Sequence, residues 1–100
     1  MKGSEKQIEW ATKIRTGKSD LVAEYLEKLE AQNRMVRGED SGTKYTAAQV
    51  REFFADFIAH PTAEESCLWI ERRKMDAEEW VQRSISLAEG NHREAFRLMY

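Results

Sequence analysis

The chain has little of the residues that fix small folds covalently or interrupt helices. Its 100 residues include one cysteine, Cys67, and one proline, Pro61. A single cysteine excludes an intramolecular disulfide, and a lone proline leaves long stretches free to form helices. Hydrophobic runs are only a few residues long, so no segment is predicted to cross a membrane. The opening MKGSEKQIEW lacks the apolar stretch of a signal peptide, so we expect a cytoplasmic protein.

Neither sign of charge dominates the composition. The chain carries 16 basic and 18 acidic residues, which gives a formal net charge of −2 at pH 7. Because the two signs are intermixed along the chain, the totals favour neither a surface for polyanions nor an acidic mimic of DNA. Hydrophobic residues make up 41% of the chain and aromatic residues 10%, which argues against disorder and for one globular domain.

Helix start and stop signals recur along the chain. In a capping box, a Ser or Thr and a Glu or Gln three residues later satisfy each other's backbone amides, which marks a helix N-terminus. Matching pairs are Ser4–Gln7, Thr46–Gln49 and Thr62–Glu65, with looser versions at Asp76–Glu79 and Asn91–Glu94. A further cap candidate is Ser19, and the stop signals are Gly17, Gly38, Pro61 and Gly90. These signals predict six helices, near 4–16, 20–36, 47–59, 63–73, 77–89 and 92–99.

The hydrophobic period favours helices over strands. Apolar residues recur every three or four positions. In the first predicted helix the inward side carries Gln7, Ile8, Trp10, Ala11 and Ile14, and in the third it carries Val50, Phe53, Phe54, Phe57 and Ile58. The segment 38–44 (GEDSGTK) is polar and contains glycine, so it is predicted to be a flexible loop. We therefore predict an all-α fold, a compact single-domain bundle of five or six short helices over residues 1–100.

The predicted fourth helix departs from this simple amphipathic pattern. Ala63, Cys67 and Ile70 share one face, whereas Leu68 and Trp69 point away from it. A helix that is apolar all round is either central in the core or partly presented to a partner. In the first case the sixth helix and Leu98–Tyr100 would cover it, and in the second a partner would. Because Trp and Arg are enriched at interface hot spots, the partner-binding candidates are Leu68, Trp69, Arg72 and Arg73.

No group of residues has the pattern of a catalytic, cofactor-binding or metal site. Cys67 has no signature partner base, and its place on an apolar face favours a buried structural thiol over a nucleophile. Together with this cysteine, His60 and His92 do not have zinc-ligand spacing. The pairs Glu64–Glu65 and Glu78–Glu79 lie in first helical turns, where capping and the helix dipole account for them. We therefore expect no enzymatic activity, no cofactor and no metal.

The basic run Arg72, Arg73 and Lys74 ends the predicted fourth helix. The fourth and fifth helices could form a helix-turn-helix, but the second would then open with the acidic segment 76–79 facing the phosphates. Nucleic acid is therefore disfavoured as a partner. A nucleic-acid binder should gather its basic residues on one face. The candidates for such a face are Lys13, Arg15, Lys18, Arg34, Arg37, Arg72, Arg73 and Lys74.

Two stretches resemble a group of small, mostly uncharacterised proteins encoded by phages and mobile elements. The stretch from Lys6 to Arg15 (KQIEWATKIR) is similar to their K-Q-I-x-[WY]-A-x-x-I-R opening. The stretch from Leu68 to Arg73 (LWIERR) is similar to a later W-W-I-x-x-R stretch, with Leu68 at the position of the first Trp. The resemblance covers about 16 residues of the chain and leaves its middle and C-terminal parts unmatched.

The resemblance implies a biological context and no particular chemistry. It implies stoichiometric binding to a host or bacterial protein complex in the cytoplasm of a bacterial cell, for example inhibition of a host defence system in the manner of anti-CRISPR proteins. The expected assembly is a monomer or a weak homodimer. The alternative is a nucleic-acid-associated regulatory or accessory protein of a mobile element. An exposed apolar or aromatic patch with a polar rim would favour protein binding, and a single basic face would favour nucleic acid.

Overall fold

A computed structural model describes residues 1–97 of the chain. This part contains, in order, α1 (Glu5–Ala31), β1 (Val36–Arg37), β2 (Lys44–Tyr45), α2 (Ala47–Ala59), a 3-10 turn (Pro61–Glu64), α3 (Ser66–Glu71), α4 (Ala77–Ala88) and α5 (His92–Ala95). The predicted all-α class is confirmed. The long helix α1 packs on α2, α3 and α4, while α4 also packs on α2 and α5. Of the helices described, none is both long and apolar enough to cross a membrane.

The first two predicted helices form one continuous helix, α1, so the predicted break at Gly17 is wrong. Gly17 and Ser19 are interior residues of α1, and neither ends nor caps a helix. An interior glycine costs a helix about 1 kcal/mol relative to alanine. Burial of one large aliphatic side chain contributes about 1.5–3 kcal/mol, so an uninterrupted apolar line on the core side outweighs that cost. The buried side chains of α1 are Ala11, Val22, Leu26 and Leu29.

The chain turns back into a short hairpin after α1. The helix ends at Ala31 rather than near 36, and Asn33 adopts a positive φ of 52°. Asparagine tolerates this left-handed conformation better than most residues. Val36–Arg37 then pairs antiparallel with Lys44–Tyr45. Neither strand was predicted from the sequence, and each is only two residues long.

Side chains of α4 and the residue that follows it hold the hairpin loop. Gln82 Nε2 donates to the Arg37 carbonyl at 2.8 Å, and Gln82 Oε1 accepts from the Glu39 amide at 2.9 Å. The Glu89 carboxylate accepts hydrogen bonds from Ser41 Oγ and, at 2.8 Å, from the Tyr45 hydroxyl. The segment predicted to be a flexible loop is therefore attached at several points to the C-terminal half of the fold.

The starts of three later helices follow the predicted caps. Thr46 and Gln49 form both hydrogen bonds of the capping box at α2. The Asp76 side chain accepts from the Glu79 amide at α4, and the Asn91 side chain accepts from the Glu94 amide at α5. Gly90 follows α4 with a φ of 84°, a conformation that favours glycine at the end of a helix.

The predicted fourth helix is two separate elements, which changes the side chains that face inward. His60 caps the 3-10 turn, because its Nδ1 accepts from the Thr62 amide at 3.1 Å. Glu65 is extended, with φ −76° and ψ 117°, so the predicted Thr62–Glu65 capping box does not form. The helix α3 starts afresh at Ser66 in a different phase. Cys67 is exposed as a result, and its prediction as a buried thiol is wrong.

The core centres on aromatic rings from α2, α3 and α4. Trp69 and Trp80 are both fully buried and stack with their ring centroids 4.8 Å apart. Phe57 meets the two indoles nearly edge-on, at 6.4 and 5.9 Å. Trp69 Nε1 donates to the Ala63 carbonyl at 2.9 Å, which satisfies the indole inside the core. Of the two alternatives for the predicted fourth helix, the central position in the core is therefore the correct one for Trp69.

The predicted aromatic stripe of α2 and the predicted last helix are only partly as expected. Within the stripe, Phe57 and its buried neighbours face the core, whereas Phe53 and Ile58 are half-buried. The helix α5 ends at Ala95 rather than near residue 99. Residues 98–100, which would cover the predicted fourth helix in one of the two alternatives, lie outside the described residues.

Candidate functional site

Three of the four predicted partner-binding residues belong to the core. Leu68, Trp69 and Arg72 are 2%, 0% and 1% exposed. None of them can contact a partner in this fold, so the prediction that they form an interface is wrong. The cause is the new phase of α3, which turns these side chains inward once the helix starts at Ser66. Arg73, the fourth candidate, is exposed.

Arg72 has a structural role at the C-terminal end of α5. Its Nη1 donates to the Ala95 carbonyl at 2.8 Å, and its Nη2 donates to the Arg97 carbonyl. Burial lowers the pKa of Arg72 to about 10, and the nearby positive charge of Arg83 acts in the same direction. The guanidinium thus fastens the end of α5 to α3, and its own hydrogen bonds offset part of the cost of burying the charge.

Two of the three large hydrophobic side chains that are exposed among the described residues lie on α1. Trp10 is 48% exposed and Leu21 is 47% exposed. The two are eleven residues apart, so at 100° per residue they lie on the same side of the helix, about 16 Å apart along its axis. Trp10 was predicted to face inward with Ala11, and that prediction is wrong. The buried line of α1 runs through Ala11, about 100° around the helix from Trp10.

Arg73 holds the Trp10 indole in place. Its Cζ lies 5.5 Å from the centroid of the indole ring, and its Nη1 donates to the Ile70 carbonyl at 2.8 Å at the end of α3. A cation over an exposed indole stabilises the pair by about 0.5–1 kcal/mol. The contact orients the indole and leaves about half of it in water. We refer to Trp10, Leu21 and Arg73 together as the α1 surface.

Polar contacts border the α1 surface. Lys13 Nζ lies 3.8 Å from the Glu9 carboxylate, one turn away on the same helix. Lys18 Nζ donates to the Met75 carbonyl at 2.6 Å and ties the middle of α1 to the segment between α3 and α4. The α1 surface therefore combines exposed apolar side chains with a charged border, the general make-up of protein-binding patches.

The basic residues considered for nucleic acid do not share one face. Arg72 is buried, and Lys18 is held against a backbone carbonyl. Arg34 and Arg37 follow the C-terminal end of α1, whereas Lys13 lies in its first third. The charge that remains near Trp10 comes from a few side chains rather than from all eight.

The residues weighed for chemistry are spread over several elements. His60 and His92 lie together, with ring centroids 5.4 Å apart, while Cys67 is exposed on α3. Among residues 1–97, no three His, Cys, Asp or Glu side chains are grouped so as to hold a metal ion. Glu64 Oε2 lies 3.0 Å from the N-terminal ammonium group of Met1, which lowers the pKa of this carboxyl by hydrogen bonding and by its charge.

Comparison with known proteins gives no match. No protein family model matches the chain, and neither a curated protein nor a solved structure matches it at a significant level. The resemblance to phage and mobile-element proteins therefore stays a prediction from two short stretches of sequence.

Proposed function

We propose that the chain acts by stoichiometric binding to another protein, without catalysis, and that the α1 surface is the contact. The observation that carries this proposal is the half-exposed indole of Trp10 held under the guanidinium of Arg73. Trp and Arg are the residue types most enriched at interface hot spots. An indole that is already oriented loses little conformational freedom when a partner covers it.

The identity of the partner is proposed from the resemblance. Trp10 stands at the aromatic position of the K-Q-I-x-[WY]-A-x-x-I-R opening. A motif that includes an exposed aromatic residue is easier to explain by recognition than by packing. We propose a host or bacterial protein complex in the bacterial cytoplasm as the partner, with a defence complex as the leading case. Inhibition would then follow from occupancy of the complex.

The test is capture of a partner by the immobilised full-length chain and by two matched variants. Trp10→Ala removes the indole, whereas Met35→Ala removes a side chain that is equally exposed, at 50%, but lies outside the α1 surface. We expect a bacterial protein that binds the wild-type chain and Met35→Ala equally and Trp10→Ala at least about 10-fold more weakly, a difference of about 1.4 kcal/mol. Reconstitution from purified components should give a fixed stoichiometry. Equal capture by all three chains would contradict the proposal.

A second candidate function, binding of single-stranded nucleic acid, is favoured by one observation. The exposed indole has the cation of Arg73 over it, and aromatic side chains beside cations can stack on bases. Lys13 lies about one turn further along the same helix, paired with Glu9. Such binding would weaken steeply with salt. Titration of a fluorescent single-stranded oligonucleotide at low and physiological salt separates the two functions. Sub-micromolar binding at physiological salt that is lost in Trp10→Ala would favour nucleic acid over protein.

A further inference from the structure

Four exposed residues form one line along the outer face of α1. These are Trp10, Gly17, Leu21 and Lys28, which are spaced by seven, four and seven residues. At 100° per residue all four fall within about 20° of a single line parallel to the helix axis. We refer to them as the outer line. The spacing is symmetric about Ser19, so the outer line has the same pattern of positions when read in either direction.

Gly17 leaves a hollow in the middle of the outer line. Apart from its two chain neighbours and the backbone of α1 itself, no described atom lies within 4 Å of the position that a Cβ would occupy there. Contacts within residues 1–97 therefore give no reason for a glycine, although glycine is the least favourable residue after proline in a helix interior. One turn further along, the half-exposed side chain of Leu21 projects from the same face. The outer line thus places the hollow at Gly17 next to the projecting side chain of Leu21, which is of a size to fill such a hollow.

The symmetric spacing makes this face complementary to itself. A two-fold axis that runs perpendicular to α1 beside the outer line, at the height of Ser19 along the helix axis, exchanges Gly17 with Leu21 and Trp10 with Lys28. We infer that two copies of the chain form an antiparallel homodimer along the outer line, with each Leu21 seated over the partner's Gly17. The same rotation places each Lys28 ammonium near the partner's Trp10, where a cation and an indole attract each other.

The charges on α1 fit the antiparallel arrangement. On the side of α1 that carries the outer line, residues 5–18 present Lys6, Lys13 and Lys18, whereas residues 20–31 present Asp20 and Glu24 beside Lys28. An antiparallel copy sets the positive half of each helix against the negative half of the other, and a parallel copy would oppose like charges. Lys13 and Glu24 lie on the same side of the outer line, so the rotation brings each Lys13 within about one turn of the partner's Glu24.

The size of the contact sets the expected strength. The outer line from Trp10 to Lys28 is about 27 Å long and one helix wide. That is at the small end of specific interfaces, so we expect dissociation in the micromolar range rather than a permanent dimer. The inference goes beyond the proposed function, because it concerns the purified chain alone. The outer line shares Trp10 and Leu21 with the α1 surface and adds Gly17 and Lys28.

Sedimentation velocity of the full-length chain over a concentration series tests the dimer. Cys67 is exposed, so Cys67→Ser is the background that excludes disulfide dimers. Gly17→Leu fills the hollow without meeting any described atom at the Cβ, and should weaken dimerisation at least 10-fold while the helix itself becomes more stable. A variant that folded poorly would instead lose both dimerisation and stability. Met35→Ala should dimerise like the parent chain. A parent chain that stays monomeric at millimolar concentration, or a Gly17→Leu chain that dimerises equally well, would overturn the inference.

Disulfide trapping tests the direction of packing. Two chains of different size, one with Gly17→Cys and one with Leu21→Cys, are mixed in the Cys67→Ser background and oxidised gently. The antiparallel dimer predicts that the mixed species, in which position 17 is joined to position 21, forms several-fold faster than the species joined through position 17 twice. Faster formation of the latter would indicate parallel packing and would overturn the inference. Neither experiment involves an outside partner, so a negative result for the dimer does not contradict the proposed function. Likewise, a negative result in the partner capture does not contradict the dimer.

Discussion

The guanidinium of Arg73 and the indole of Trp10 form a contact between the end of α3 and the first third of α1, with 5.5 Å between the Arg73 Cζ and the ring centroid. Trp69 and Trp80 are fully buried, so quenching of fluorescence by a soluble quencher reports on Trp10. Arg73→Ala should increase that quenching, because one face of the indole loses its cover. The free energy of unfolding should fall by less than about 1 kcal/mol, the range of an exposed cation–π contact. Lys74→Ala, which removes the adjacent exposed cation, is the control and should leave quenching unchanged.

Replacement of the two tryptophans by alanine should separate the core from the surface. Trp69→Ala removes a fully buried ring that stacks on Trp80 and donates to the Ala63 carbonyl, and should cost about 3–5 kcal/mol. Trp10→Ala should cost less than about 1 kcal/mol, because half of its side chain is already in water. Urea titrations measure both. Comparable losses at the two positions would mean that the indole of Trp10 is packed into the core.

Local signals predicted most of the helix starts but could not decide whether α1 is continuous. The caps at Ser4, Thr46, Asp76 and Asn91 act through hydrogen bonds to amides three residues away, so the sequence alone reveals them. The break expected at Gly17 failed because helix continuity depends on burial against α2, α3 and α4. Those contacts are distant in sequence, and no local pattern reports their energy.

The candidate site was mispredicted for a related reason. The extended backbone at Glu65 sets the phase of α3, and Glu65 forms a β-bridge with Lys2, a contact more than sixty residues away in sequence that no local signal reports. A shift in phase exchanges buried and exposed side chains, which moved Trp69 inward and Cys67 outward. Trp10 could have been placed correctly had α1 been read as one helix. The buried face of a continuous α1 runs through Ala11 and Val22, and Trp10 lies outside that face.

Two glycines should respond in opposite ways to replacement by alanine. Gly17→Ala should raise the free energy of unfolding by about 1 kcal/mol at low protein concentration, because alanine favours a helix interior and no described atom is near the added methyl. Gly3→Ala should lower it by about 1–3 kcal/mol, the cost of a strained backbone. Gly3 has a φ of 141°, and its Cβ would lie 2.2 Å from Ser66 Oγ. Thermal or urea unfolding of both variants provides the comparison, and a loss of stability in Gly17→Ala would show that a glycine is needed within the monomer.

The tyrosine that anchors the hairpin should titrate abnormally. The Tyr45 hydroxyl donates to the Glu89 carboxylate at 2.8 Å, and this hydrogen bond raises the pKa of Tyr45 above its usual value. Glu89→Gln removes the negative acceptor and should bring the pKa of Tyr45 back toward its usual value. NMR of ring-labelled tyrosine measures each phenol separately. Burial is the main cause that raises the pKa of Tyr25, so that phenol serves as the control and should not move.

The direction of the pH effect on stability follows from the same contact. The folded state raises the pKa of Tyr45, so it favours the protonated phenol over the phenolate. The stabilisation is therefore fully present below the usual tyrosine pKa of about 10 and is lost as the pH rises through the higher folded value. In Glu89→Gln, the alkaline loss of hairpin protection in hydrogen exchange should begin at lower pH than in the parent chain. Identical profiles for both chains would show that this hydrogen bond does not stabilise the hairpin.

Arg72 allows a test of how a buried cation holds a short helix. The guanidinium is 1% exposed and donates to the carbonyls of Ala95 and Arg97. Arg72→Met keeps most of the side-chain volume and removes both hydrogen bonds. It should lower the free energy of unfolding by about 1–3 kcal/mol, the cost of a buried carbonyl left without its partner. Hydrogen exchange should show the largest loss of protection in α5, because that helix spans only His92–Ala95 and depends on its attachment to α3.

Arg72→Ala provides the second half of this comparison. It removes the same hydrogen bonds and also leaves a cavity beneath α5, so it should be less stable than Arg72→Met by at least about 1 kcal/mol. The depressed pKa of Arg72, about 10, reflects the cost of burying its charge, and both substitutions remove that cost equally. The difference in unfolding free energy between Arg72→Ala and Arg72→Met therefore measures the contribution of packing. The loss of stability in Arg72→Met measures the contribution of the two hydrogen bonds minus the cost of burying the charge. If Arg72→Met were as stable as the parent chain, the hydrogen bonds would only balance the cost of burying the cation, and α5 would be held by packing alone.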